Sequence, residues 1–199
     1  MRTHRALADL TVAAYSQLPT IDVGGDVRCI ILVDDDETIV VCPGTVSLPG
    51  WMRDFSAWPK SYGALGYLHE GFGDGGAKLW LSLQPHVSKK KAITITGHSL
   101  GAAVAQNLGA WAALDGFRFR VVTWGTPRQC VFWNLAFPAL VAKAFEAADY
   151  RNPGDVVPNV PWRPLWKHTF RRTDLVGAAY INPRVDHDIK LYAARTPNL

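Results

Sequence analysis

The stretch Gly97-His98-Ser99-Leu100-Gly101 limits what this chain can fold into more than any other. An apolar, β-branched run, Ala92-Ile93-Thr94-Ile95-Thr96, precedes it, and a small-residue run, Ala102-Ala103-Val104-Ala105, follows it. Strand, Gly-x-Ser-x-Gly and helix, in that order, make a turn so sharp that the serine sits on a strained backbone. The glycines two before and two after it remove side chains that would collide with the neighbouring strand and helix. The Ser99 hydroxyl is then expected to stand at a helix N-terminus, whose positive dipole end favours a developing oxyanion. The bare pattern also arises by chance in loops; the flanking strand and helix give it weight here.

At 199 residues the chain is expected to form one domain, residues 1–199, with a sizeable core. Hydrophobic residues make up 48% and charged residues 19%, the balance of a globular rather than a disordered chain. No apolar run approaches the length of a membrane span. Leu7, Leu10, Ala14 and Leu18 recur at helical spacing, so about Thr3 to Leu18 reads as an amphipathic helix and not as a signal peptide. The net charge is +4, and its basic residues are dispersed apart from Lys89-Lys90-Lys91 and Arg171-Arg172. No nucleic-acid motif accompanies them, so no nucleic-acid partner is expected. A mild attraction to anionic lipid surfaces is the most that this charge suggests. Cys29, Cys42 and Cys130 do not make a disulfide framework. Free thiols in a reducing, cytoplasmic compartment are expected, with export by another route left open.

Along the chain, Val27 to Val33 and Thr38 to Cys42 read as a hairpin around Asp34-Asp35-Asp36-Glu37, with Cys29 facing Cys42. After a Gly-rich stretch comes a helix capped by Asp74 and ending near Pro85. Phe119 to Trp124 and about Glu146 to Arg151 read as strands; Val131 to Phe145 is partly helical, interrupted at Pro138. This alternation predicts an α/β fold: a mostly parallel central sheet covered by helices, with an antiparallel hairpin on its N-terminal side.

A serine hydroxyl needs a base within hydrogen-bond reach, and the base needs an orienting carboxylate. In α/β-hydrolases the chain order is Ser, then Asp or Glu, then His. Downstream of Ser99 the histidines are His168 and His187. Asp155, in a Pro-rich loop just after a predicted strand, is the better acid candidate, although Asn152-Pro153-Gly154-Asp155 also suits a plain turn. His168 competes for the base role, but its bulky surroundings suit a packed structural histidine. Asp186-His187-Asp188 raises the idea of a metal site. No other His or Cys lies at ligand spacing, so neither a metal nor another cofactor is expected.

Several motifs together give the chain a resemblance to the fungal lipase-like (class 3 lipase) family of the α/β-hydrolase superfamily, over most of its length. Gly97-His98-Ser99-Leu100-Gly101 matches the family's elbow. Val41-Cys42-Pro43-Gly44-Thr45, with Trp51 and Asp54, is similar to its oxyanion strand end, with Pro43 where Arg is usual. Leu68-His69-Glu70-Gly71-Phe72 resembles its His-x-Gly-Phe element. Asp155-Val156-Val157-Pro158 resembles its acid loop, and Val185 to Tyr192 its catalytic-histidine segment. Gly125-Thr126-Pro127-Arg128 matches a recurrent turn. The chain is shorter than typical secreted members and lacks their disulfides.

The resemblance implies an α/β-hydrolase fold and an ester hydrolase. Ser99 would attack the ester carbonyl, His187 would move the proton, and Asp155 would orient His187. The N–H of Leu100 and the N–H and hydroxyl of Thr45 would bind the oxyanion, against the plainer reading of Thr45 as a strand-ending residue. Val46, Leu48, Trp51 and Met52, with His98 and Trp162, are expected to contact substrate or form a lid. Trp166 joins Trp51 and Trp162 as a candidate apolar rim, and aromatic core packing is the competing reading. Acylglycerols or small esters are the expected substrates, with transient lipid-surface contact. A phospholipase, an acyltransferase and a non-catalytic binding module remain alternatives.

Overall fold

A computed structural model describes residues 1–45, 58–162 and 164–199. Val46, Leu48, Trp51 and Met52 lie outside the described residues. Helix α1 (His4–Ala14) is capped by Thr3, whose side chain accepts the Ala6 N–H. It stops at Ala14, short of the expected Leu18, with Tyr15 as its C-cap.

A twisted sheet of seven strands forms the centre of the described residues. Its strands are β1 (Ile21–Asp22), β2 (Arg28–Val33), β3 (Glu37–Cys42), β6 (Ala92–His98), β7 (Phe119–Trp124), β9 (Glu146–Arg151) and β11 (Thr173–Asp174), adjacent in that order. β2 and β3 form the antiparallel hairpin, with Ile30 opposite Val41. From β3 onward the strands run parallel. The hairpin register places Cys29 across from Cys42, and all three cysteines are free and buried. A smaller antiparallel sheet, absent from the sequence reading, joins β10 (Trp166–Lys167), β8 (Cys130–Val131), β5 (Tyr67–His69) and β4 (Pro59–Ser61).

The strand alternation sorts the core into two layers. Ile39, Val41, Val122 and Trp124 pack with Leu7 and Ala14 of α1 and with Tyr192 of α6 (Ile189–Arg195). Val40, Cys42, Ile95 and Val121 pack on the other face with Val104, Ala105 and Leu108 of α3 (Leu100–Leu114) and Leu79 and Leu83 of α2 (Glu70–Leu83). Helices therefore cover both faces, as the α/β-hydrolase fold requires.

Two expected elements differ in detail. α2 begins at Glu70 rather than at Asp74, and Asp74 is no cap: it accepts from Lys60 Nζ at 2.8 Å and the Tyr62 hydroxyl at 2.7 Å. Glycines at 71, 73, 75 and 76 disfavour a helix on propensity alone. Packing overrides that, since a Cβ at Gly76 would fall 2.6 Å from Asn107 Cβ of α3. In α4 (Ala136–Val141) Pro138 does not interrupt the helix, because it lies in the first turn, where its missing N–H removes no intrahelical bond. α5 (Pro183–Asp186) completes the elements and leads directly to His187.

Candidate active site

β6 delivers Ser99 at the C-terminal end of the parallel strands. Its N–H donates to Trp124 O of β7 at 3.0 Å, and its backbone stands at φ 59°, ψ −126°. For a residue with a Cβ this region costs free energy and persists only when the surroundings over-determine it. The surroundings do: a Cβ at Gly97 would meet Gly101 O at 2.4 Å, and a Cβ at Gly101 would meet Cys42 O at 2.1 Å. Leu100 follows as the first residue of α3, so its N–H has no intrahelical acceptor and points out of the helix start.

Asp155 lies on the loop after β9 and is buried. Its Oδ1 accepts the Val157 N–H at 2.9 Å. Its Oδ2 accepts from the Tyr192 hydroxyl at 2.5 Å and lies 2.8 Å from His187 Nδ1. An ionised carboxylate only accepts, so Nδ1 carries the proton and Nε2 keeps its lone pair as a base. Space for this pair comes from Gly125, at φ 62°, where a Cβ would sit 3.0 Å from His187 Cε1 and 3.2 Å from Asp155 Oδ2. Ser99 Oγ and His187 Nε2 are both buried, and neither makes a hydrogen bond among the described residues. The site thus holds a base and a hydroxyl with the link between them open, as catalytic pairs often are before substrate binds.

His98, expected to contact substrate, is instead buried against His187. Its ring centroid is 4.5 Å from that of His187, and its Nδ1 is 2.7 Å from the Tyr15 hydroxyl. Burial, and next the neighbouring His187, hold its pKa well below the ordinary imidazole value. The Thr45 hydroxyl donates to Asp26 Oδ2 at 2.7 Å, so its single proton is directed away from any oxyanion in this state. Trp162 is 75% exposed, whereas Trp166 is buried near His69, in the core rather than on a rim. His168 donates Nε2–H to Pro158 O at 2.8 Å and so braces the loop that carries Asp155.

The sequence reading missed Tyr192, Tyr15, Asp26 and the spacing role of Gly125. Tyr192 lies inside the quoted histidine segment but reads there as an apolar helix position. Burial, followed by the adjacent Asp155 charge, raises its phenol pKa well above the ordinary value, so it remains a donor.

The family model described as Lipase (class 3) matches residues 39–164. The chain belongs to the class 3 lipase family. Among its relatives are a secreted mono- and diacylglycerol lipase of Fusarium solani, 30% identical over 63% of this chain and 39% of that protein, and a Caenorhabditis elegans lipase, 32% identical over 70% and 42%. This class 3 lipase chain therefore spans about two fifths of the curated relatives it matches. A triacylglycerol lipase from Penicillium expansum shares its fold, with a TM-score of 0.69 at 16% identity over 88% of this chain and 79% of that one. The family match contains Thr45, Ser99, Leu100 and Asp155; Tyr15, Asp26, His187 and Tyr192 lie outside it. Among the described residues of this class 3 lipase chain, no helix is long and apolar enough to cross a membrane.

Proposed function

We propose that this class 3 lipase chain hydrolyses carboxylic esters of lipids, acylglycerols first, through an acyl-enzyme on Ser99. One observation carries the reading. A buried Asp155–His187 pair, 2.8 Å apart, is held at the same strand ends as a serine on a strained elbow. As Ser99 Oγ bonds to the ester carbonyl carbon, its proton passes to His187 Nε2. The carbonyl electrons move onto oxygen, where the N–H groups of Leu100 and Thr45 receive them. Collapse of that intermediate breaks the bond to the alkoxy oxygen, and His187 gives its proton to the departing alcohol. Water then attacks the acyl carbon and yields a proton to His187, which returns it to Ser99 as the carboxylic acid leaves. Asp155 keeps Nδ1–H in place and stabilises the transient imidazolium. The Thr45 hydroxyl joins the oxyanion hole only by turning away from Asp26.

Lipid contact is supported by exposed aromatics, with Trp58 72% and Trp162 75% accessible. For compartment, the free buried thiols favour a reducing one, while the Fusarium relative is described as secreted; cell fractionation separates the two. The decisive experiment compares wild type and Ser99→Ala on p-nitrophenyl esters of rising chain length and on phospholipid vesicles. Turnover that disappears in a folded Ser99→Ala variant is expected. Preference for phospholipid would redirect the substrate class. No turnover by folded wild type would leave a binding module.

A further inference from the structure

Tyr15 closes the end of α1 and stands between the loop that carries Thr45 and the strand that carries Ser99. Its phenol oxygen accepts the Gly44 N–H at 2.9 Å and lies 2.7 Å from His98 Nδ1. Burial lifts its pKa well above the ordinary phenol value, so the oxygen keeps its proton. With one proton and the Gly44 N–H already accepted, the hydroxyl donates to Nδ1 of a neutral His98. Gly44 has no slack in this arrangement. A Cβ there would fall 2.6 Å from the phenol oxygen, 2.8 Å from His98 O and 2.9 Å from Ser99 Cβ. The Gly44 backbone is pressed between the phenol and the elbow, and Thr45 is the next residue along it.

We propose that Tyr15 is a positioning residue for the reaction, its phenol fixing the Gly44 backbone so that the Thr45 N–H meets the oxyanion formed at Ser99. The inference rests on the ester hydrolysis proposed above. It brings α1, which precedes the family-matched residues 39–164, into the working of the site. It also supplies a brace next to Pro43, where the resembling family usually has Arg.

The brace acts on a group that strengthens its contact only as charge develops, so removing it affects the transition state and not ester binding. Tyr15→Phe deletes one oxygen and keeps the ring. The expected result is a kcat about tenfold lower with KM within about twofold. An alkyl boronic acid, which Ser99 converts to a tetrahedral anion, should bind about tenfold more weakly. A purely structural role lowers the folded fraction but leaves both KM and the boronate inhibition constant unchanged, so the boronate result separates the two. p-Aminophenylalanine at position 15 keeps a para donor toward His98, but its conjugated nitrogen accepts the Gly44 N–H poorly. It should weaken boronate binding as Tyr15→Phe does, and it serves as the test variant should Tyr15→Phe not fold, wild-type boronate affinity there overturning the role. Wild-type kcat and boronate affinity in Tyr15→Phe would overturn the role of Tyr15 alone. Absence of turnover in wild type and in every variant would overturn the proposed function and this inference with it.

Discussion

Gly101 faces two carbonyl oxygens that cannot move aside. A Cβ there would lie 2.1 Å from Cys42 O and 2.5 Å from Pro43 O, both in the backbone that leads to Thr45. Gly101→Ala should therefore destabilise the chain by about 3 kcal/mol or more, as overpacking against backbone does. Urea unfolding reads this directly, and an unchanged midpoint would show that the elbow can relax. Tyr192→Phe tests a gentler contact. It removes the 2.5 Å hydrogen bond to Asp155, which keeps its bonds to Val157 and His187. A loss of about 1–2 kcal/mol in stability is expected, with kcat lowered by less than about tenfold. A larger fall in kcat would move Tyr192 into the proton-transfer machinery. The elbow at Ser99 and the pairing of Asp155 with His187 were legible because the proposed chemistry calls for those residue types and the α/β-hydrolase topology for that chain order. Tyr15, Tyr192 and Asp26 were not. A tyrosine at helical spacing looks like core, and a lone aspartate beside two glycines looks like a turn.

Among the elements, the parallel strands and the hairpin could be read closely because their apolar runs end at strong turn residues. The boundaries that shifted were those decided by packing between distant segments, as at the glycines of α2 against Asn107 and Val27. α1 shows how far such packing reaches. At its start His4 lies between Tyr150 Oη and Glu146 Oε1, at 2.7 and 2.5 Å. Glu146 also accepts from Arg120 at 3.1 Å, and Arg120 reaches Thr94 and the Arg2 carbonyl. Glu37, which accepts from Thr94, lies 3.5 Å from the same guanidinium. This cluster sits where β3, β6, β7 and β9 begin, at the opposite end of the sheet from Ser99. α1 thus runs from a buried ion cluster to the loop that holds Thr45. Arg120→Ala would strand Glu37, whose side chain is 3% exposed, and should cost about 3–5 kcal/mol. Arg120→Met combined with Glu37→Gln should cost clearly less, because no fully buried charge is left unpaired and Glu146, 38% exposed, keeps solvent and His4. Equal losses in the two variants would mean that packing, and not charge, dominates there.

Across the whole molecule, a chain of buried polar groups joins α3 to the sheet and to the smaller strands. Asn107 donates to Gln129, Gln129 to Gln106, and Gln106 to Thr123 and Thr126. Both threonines donate to Asp149 Oδ1, at 3.0 and 2.6 Å. Burial pushes the Asp149 carboxyl from its ordinary 3.8 up to about 7, against the pull of those two hydroxyls and of Arg172, with Asp155 adding a smaller push upward. The folded chain therefore holds this proton over a range where the unfolded chain has released it. The resulting stabilisation is fully present below about pH 4, falls as pH rises toward 7, and is gone above that. Buried histidines act in the opposite sense. Burial holds His69 down at about 4 and His98 well below its ordinary value, so the unfolded state takes up protons that the folded state refuses. Their contribution is present above about pH 6.5 and declines as pH falls. Across the same window the Asp149 slope offsets only one of the two histidine slopes, so wild-type stability should rise with pH between about 4 and 6.5. Asp149→Asn removes one slope and keeps an oxygen for the two threonines. The variant should gain on wild type as pH rises, by on the order of 4 kcal/mol between pH 4 and 8. Comparing the two proteins at each pH cancels the histidine contribution. Parallel stability curves for wild type and Asp149→Asn would mean that Asp149 is ionised throughout, and that the hydroxyls and Arg172 outweigh its burial.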